Sequence, residues 1–179
     1  MNVDDYPSVK EHLLSFGKVR LEQSGIKGSR KKTNNKWFET QDSISYWEDF
    51  NQPKLIWSEI TSDPKFHFDN EGFFPEATCF FIVGENLRYI TVFMNSKISQ
   101  WYFKFIGSEI GGNLRWKEYA VKKMLVPKVF SEKQLETSIF KHINTNISHK
   151  LIRKIEEMFY THFGLSTIEI KTIEDAISK

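Results

Sequence analysis

Residues 27–36 read Lys-Gly-Ser-Arg-Lys-Lys-Thr-Asn-Asn-Lys, five cations without an anion, and Trp37-Phe38 follow at once. Lys27, Arg30, Lys31, Lys32 and Lys36 are chemically suited to neutralising phosphates, and an adjacent indole such as Trp37 can stack on or pack against a base. Arg30 carries the fork that bonds a guanine edge at two points, and Asn34 or Asn35 carries the amide that does the same for adenine. A second basic group, Arg115 and Lys117 flanking Trp116, follows the run Gly107-Ser108-Glu109-Ile110-Gly111-Gly112-Asn113. Its glycines permit positive φ and close backbone approach to a phosphate. Each feature also has a plainer reading: a solvated loop, a core tryptophan, a turn, and a surface ion pair of Arg115 with Glu109 or Glu118.

Other chemistry finds less support. The five histidines, at 12, 67, 142, 149 and 162, show neither the metalloprotease pair nor a zinc spacing with the single Cys79. Asp63-Pro64-Lys65 and Glu169-Ile170-Lys171 match only fragments of a metal-dependent nuclease motif, and they read as a turn and a helix cap. There is no phosphate loop ending in Lys-Ser or Lys-Thr and no Gly-x-Ser-x-Gly elbow. A methyltransferase would need a Gly-rich strand-to-helix turn and an Asn-Pro-Pro-aromatic loop, and neither is present. No catalytic residue and no metal site is assigned, so the chain by itself is expected not to be an enzyme.

The elements that would hold these loops are α+β. Tyr6-Pro7 opens a helix expected to run to about Gln23, with Val9, Leu13 and Phe16 on one face. Residues 53–57, 65–69 and 78–83 read as short strands, with Asn70-Glu71-Gly72 as a turn between the last two. In residues 87–105, Leu87, Ile90, Met94, Ile98, Trp101, Tyr102 and Phe105 recur at spacings of three and four, broken by Asn95-Ser96. That pattern predicts a helix to Met94, a sharp corner that only caps, and a second helix after Ser96. The glycine run should then lead into a closing strand ending at Val126-Pro127. Beyond it, one helix is expected around Leu135, Ile139 and Ile143, and another over Leu151, Ile152, Ile155, Met158, Phe159 and Phe163. Gly164 stops the latter, and a last helix is capped by Ser166 and Glu169. The fold class is therefore a small twisted, mostly antiparallel sheet with packed helices and long loops, followed by a C-terminal helical segment. The expected division is 1–128 and 129–179.

Composition sets the outer bounds. Aromatic residues make up 15% of 179, including 16 Phe and 5 Trp, which argues against disorder. The 25 basic and 23 acidic residues leave a formal net charge of only +2, so the distribution of charge carries the information. One cysteine permits no disulfide framework, no apolar run approaches a bilayer span, and the N-terminus lacks a basic secretory region. A cytoplasmic protein without a membrane partner is the expectation.

The order of these pieces resembles the TaqI-like C-terminal specificity domain of type IIG restriction-modification enzymes and related adenine-specific DNA methyltransferases. The resemblance rests on Tyr6-Pro7 with Leu13-Leu14 and Phe16, on Lys36-Trp37-Phe38, and on Pro53-Lys54-Leu55-Ile56. It continues through Leu87-Arg88-Tyr89-Ile90 with Met94-Asn95-Ser96, Val126-Pro127, and the tail from Phe159 to Ser166. Phe38, Thr40 and Met94 depart from the family's usual Tyr, apolar residue and Leu. A type I specificity subunit half is more distantly similar. The resemblance implies a module that docks on double-stranded DNA and reads bases in the major groove. Chemistry would lie in an N-terminal methyltransferase or nuclease region, in cis or in trans, using S-adenosylmethionine and, where a nuclease is present, Mg2+. This chain would itself hold no cofactor. The rival reading is a protein-interaction module that uses the C-terminal helices and binds no DNA.

Overall fold

The computed structural model describes residues 2–42, 44–128 and 149–178. The chain divides into two compact units, Met1–Glu48 and Asp49–Lys179. In the first, a 3-10 turn at Val3–Asp5 precedes α1 (Pro7–Ser15), which has proline in its first turn. The single helix expected to reach Gln23 is not formed. Gly17 takes φ +87, the amides of Phe16 and Gly17 close onto Leu13 and Leu14, and only the single turn α2 (Lys18–Leu21) follows. A left-handed residue breaks the helical hydrogen-bond ladder, and glycine adopts that conformation without steric cost.

The second unit holds two three-stranded sheets, and both are antiparallel. β1 (Lys54–Ser58), β3 (Phe66–Asp69) and β4 (Cys79–Val83) correspond to the three expected strands. Their order is β3-β1-β4, so β3 and β4 flank β1 and do not pair with each other. The turn after β3 is present, with the Asp69 carboxylate accepting from the amides of Glu71 (2.8 Å) and Phe73 (3.0 Å), but it begins a long link across β1. Leu55, Trp57, Phe66 and Phe68 are buried on the core side of this sheet. Lys54 and Asp69 sit opposite one another in register, fully buried, with 2.6 Å between Nζ and Oδ2. Burial opposes the Asp69 charge, but the Lys54 ammonium and the two amides outweigh it and hold the carboxyl below its ordinary range.

The second sheet joins β2 (Ile60–Thr61), β6 (Asn113–Arg115) and β5 (Ser108–Ile110), in the order β2-β6-β5. Gly111 and Gly112 both have positive φ, +56 and +78, the signature of a two-residue type I′ hairpin turn. The glycine run is thus a paired hairpin. The expected closing strand at residues 125–127 is not formed. The ladder ends at Arg115, α5 (Glu118–Val121) follows, and residues 122–128 are irregular. Only residues 113–115 find strand partners, and Pro127 has no amide hydrogen to offer a ladder.

α3 (Leu87–Met94) and α4 (Lys97–Ile106) meet at the expected corner. Ser96 caps α4 by accepting from the Ser99 amide (3.2 Å). Asn95 does more than cap: its carboxamide accepts from Phe66 N–H (2.9 Å) and donates to Phe66 C=O (2.7 Å), clamping the corner to β3 as a strand would. Phe103 of α4 stacks on Trp116 at 3.8 Å, and both are fully buried.

α6 (His149–His162) ends at Gly164, φ +63, with Gly164 N–H bonding Thr161 O and Leu165 N–H bonding Tyr160 O. This is the Schellman arrangement. α7 (Thr167–Ile177) starts with the expected Ser166–Glu169 capping box. Both helices pack against α4, with Phe159 and Ile173 in the core. The helix expected around Leu135, Ile139 and Ile143 lies outside the described residues.

Candidate nucleic-acid interface

Residues 22–42 contain no regular element, yet their backbone is held at many points. Gln23, only 4% exposed, donates from Nε2 to the carbonyls of Lys36 (3.0 Å) and Glu39 (3.1 Å), while its Oε1 accepts from the Thr33 hydroxyl. The half-buried Arg30 donates from Nε and Nη2 to Leu21 O (2.8 and 2.6 Å), from Nη2 also to Trp37 O (2.6 Å), and from Nη1 to Glu39 O (3.0 Å). Backbone bonds from Arg30 to Glu22 and from Thr33 to Gln23 complete the frame. The side chains of Gln23 and Arg30 therefore collect carbonyls. Backbone carbonyls outside a helix or sheet need donors, and here side chains supply what those elements would otherwise provide.

The expected site residues divide accordingly. Arg30 has its guanidinium turned into the loop instead of presenting a free fork. Asn35 is engaged locally, its side chain donating to Thr40 O (2.8 Å) and its backbone N–H donating to Thr33 Oγ1 (3.0 Å). Lys31 pairs with Asp42 at 2.7 Å on the surface. Lys36 lies over the Phe38 ring at 5.5 Å, and the half-buried Trp37 packs edge-on against Phe38 with Lys18 above it. Lys27, Lys32 and Asn34 are exposed and make no hydrogen bond or ion pair among the described residues.

Arg115 and Lys117 belong to the second unit and converge on one carboxylate that sequence spacing did not reveal. Arg115 Nε lies 2.7 Å and Lys117 Nζ 3.0 Å from Glu59 Oε1. Hydrogen bonds from Arg115 and then Lys117 hold the Glu59 carboxyl below its ordinary range. Glu59 is placed there by its backbone, which accepts from Trp116 N–H and donates to Thr78 O. Two cations on one anion leave a local excess of positive charge, smaller than the sequence alone suggests.

Residues 13–127 match the family model of the TaqI-like C-terminal specificity domain. The chain belongs to that family. A TaqI-like specificity domain implies a DNA-recognition role in restriction-modification enzymes, in agreement with the cation-rich loop of its first unit. That loop, both sheets, the Asn95-Ser96 corner and the Arg115–Lys117 pair all fall inside the matched span; α6 and α7 lie beyond it. No helix among the described residues is long and apolar enough to cross a membrane, and no three His, Cys, Asp or Glu side chains among them gather as a metal ion would require.

Proposed function

We propose that this domain recognises double-stranded DNA by sequence and positions a separate methyltransferase or nuclease region on it, without carrying out chemistry itself. The supporting observation is the loop of residues 22–42, which satisfies its own backbone internally while leaving Lys27, Lys32 and Asn34 exposed and unpaired. Lys27 and Lys32, with Lys36, Lys31, Arg115 and Lys117 in lesser measure, would neutralise phosphates, and Asn34 would offer its amide to a base edge. Trp37 would pack beside the backbone. In this reading residues 1–128 form the recognition domain of a cytoplasmic type IIG enzyme, and residues 129–179, with α6 and α7, meet the catalytic region. S-adenosylmethionine, and Mg2+ where a nuclease is present, would belong to that region.

The test is fluorescence anisotropy of a labelled random-sequence duplex across a salt series. Wild type should bind with strong salt dependence. Replacing Lys27 and Lys32 together by Ala should flatten the slope of log K against log salt by about 0.9 for each lost phosphate contact. A slope unchanged by that double replacement would remove these lysines from the interface.

One observation supports the rival reading of an interaction module. A cleft of about 390 Å³ opens beside α4 and the α6–α7 turn, lined by Phe93, Trp101, Tyr102, Leu125, Phe163 and Leu165 among others. Binding through such a cleft would be insensitive to salt, since apolar burial does not release counterions. The same salt series therefore separates the two.

A further inference from the structure

We propose that Arg30 and Gln23 are positioning residues of the DNA-recognition loop and not contacts to DNA, an inference that rests on the reading above. Between them they draw in the carbonyls of Leu21, Lys36, Trp37 and Glu39. Each carbonyl is the negative end of a peptide dipole, so gathering four of them around one guanidinium and one carboxamide buries negative potential inside the loop. The cations of the same loop then face outward against less competing charge.

Geometry makes Arg30 suited to this task and unsuited to reading guanine. Its planar fork reaches three carbonyls from three separate parts of the chain, at residues 21, 37 and 39, within 2.6–3.0 Å. Gln23 repeats the device from the other end of the loop. Its amide bonds residues 36 and 39 and its oxygen takes the Thr33 hydroxyl, so one side chain ties the start of the loop to its later part. Glu39 O is shared between them, which couples the two plugs. Gly25 permits the close crossing: at φ +74 a Cβ there would approach Lys32 Cβ to 3.1 Å. Lys32 and Asn34 are thereby held at fixed spacing on a loop without secondary structure, the condition for reading a base edge at low ordering cost.

Arg30→Lys is the discriminating variant, because it keeps the charge and loses the fork. In the full chain three quantities are measured: affinity for the labelled random duplex, the salt slope, and hydrogen exchange of the Arg30, Thr33 and Glu39 amides. The inference requires affinity to fall by about tenfold, the loss of one or two charge-assisted bonds. It also requires the salt slope to stay at the wild-type value and the three loop amides to exchange faster. Amides of β1 and α3 should exchange as in wild type, which shows that the variant folds. Gln23→Met should give the same pattern, since it keeps the length of the side chain and the charge of the loop but removes the donor to Lys36 O and Glu39 O. If Arg30→Lys matches wild type in affinity and exchange, the inference fails while the DNA reading stands. Arg30→Gln, the charge-neutral partner variant, gives a second check: a slope reduced by about 0.9 with unaltered loop exchange makes Arg30 a phosphate contact and overturns the inference. A wild type that binds no duplex at low salt overturns the DNA reading and this inference with it.

Discussion

Burial on α6 pushes the Glu156 carboxyl up to about 7, against the Lys97 amide that donates to its Oε1 (2.9 Å) and the nearby Lys97 charge; the Glu174 charge pushes it further up. Its Oε2 is buried without a hydrogen-bond partner among the described residues. The folded protein thus binds a proton that the unfolded chain releases at its ordinary value of 4.5. Because the native state holds more protons between these values, Glu156 makes stability fall as pH rises from about 4.5 to 7, after which its contribution is constant. The size is on the order of 3 kcal/mol. Glu156→Gln should remove that slope in urea unfolding followed against pH, and an unaltered slope would show that the carboxyl is ionised in the fold. Asp69 acts in the opposite sense, its contribution being lost as pH falls through its lowered value. Neither residue could be singled out in the sequence. Glu156 sits among Ile155, Glu157 and Met158 with nothing to mark it as inward, and Lys54 finds Asp69 only through strand register. Arg30 and Asn34 were legible as polar loop residues, but whether a donor faces inward or outward depends on contacts up to 17 positions away, such as Gln23 with Thr40.

At the scale of elements, periodicity located α3, α4, α6, α7 and three strands, because each buries a face at regular spacing. It failed where a single residue's backbone angle decides the outcome, as at Gly17. It failed again where a strand is too short for a period to register, as in β2, β5 and β6. The Asn95 clamp is a tertiary function that no local pattern carries. Replacing Asn95 by Ala leaves the Phe66 N–H and C=O without their partner, and should lower unfolding free energy by about 2–3 kcal/mol. Preservation of stability in that variant would mean that water serves Phe66 as well. Gly107, the C-cap of α4, and Gly111 of the hairpin turn offer a contrast. A Cβ at Gly107 would lie 2.2 Å from the Phe103 ring, which is stacked on Trp116 and cannot retreat, whereas Gly111 has open space and only its φ of +56 to object. Gly107→Ala should cost about 1–3 kcal/mol by overpacking and should move Trp116 fluorescence. Gly111→Ala should cost roughly 1–2 kcal/mol and leave the spectrum unchanged.

Across the whole molecule the two compact units differ in how they are stabilised. The second has a core running from Leu55 through Trp116 to Ile173, assembled among the described residues from both sheets and five helices. The first has Val3 as its buried apolar residue and relies on polar side chains plugging carbonyls, while Val9, Phe16, Val19 and Ile26 remain exposed. A chain of fewer than 50 residues rarely sustains a core of its own, so most of the cooperative folding energy belongs to the second unit. A chain starting at Asp49 should keep its far-ultraviolet spectrum per residue and unfold in urea in one sharp transition. A broad transition would instead show that residues 1–48 are needed for the rest to fold.

Under the DNA-reading role proposed for residues 22–42, the inward and outward sides of that loop have a consequence for how such a domain would change its preference. Gln23, Arg30 and Thr33 hold the backbone, while Lys27, Lys32 and Asn34 make no hydrogen bond or ion pair among the described residues. Exchanging the outward three alters what is displayed and costs the fold almost nothing, as is usual for surface positions that carry no bond. The loop thus behaves as a socket with interchangeable heads: new sequence preferences could be selected one side chain at a time without a compensating change elsewhere.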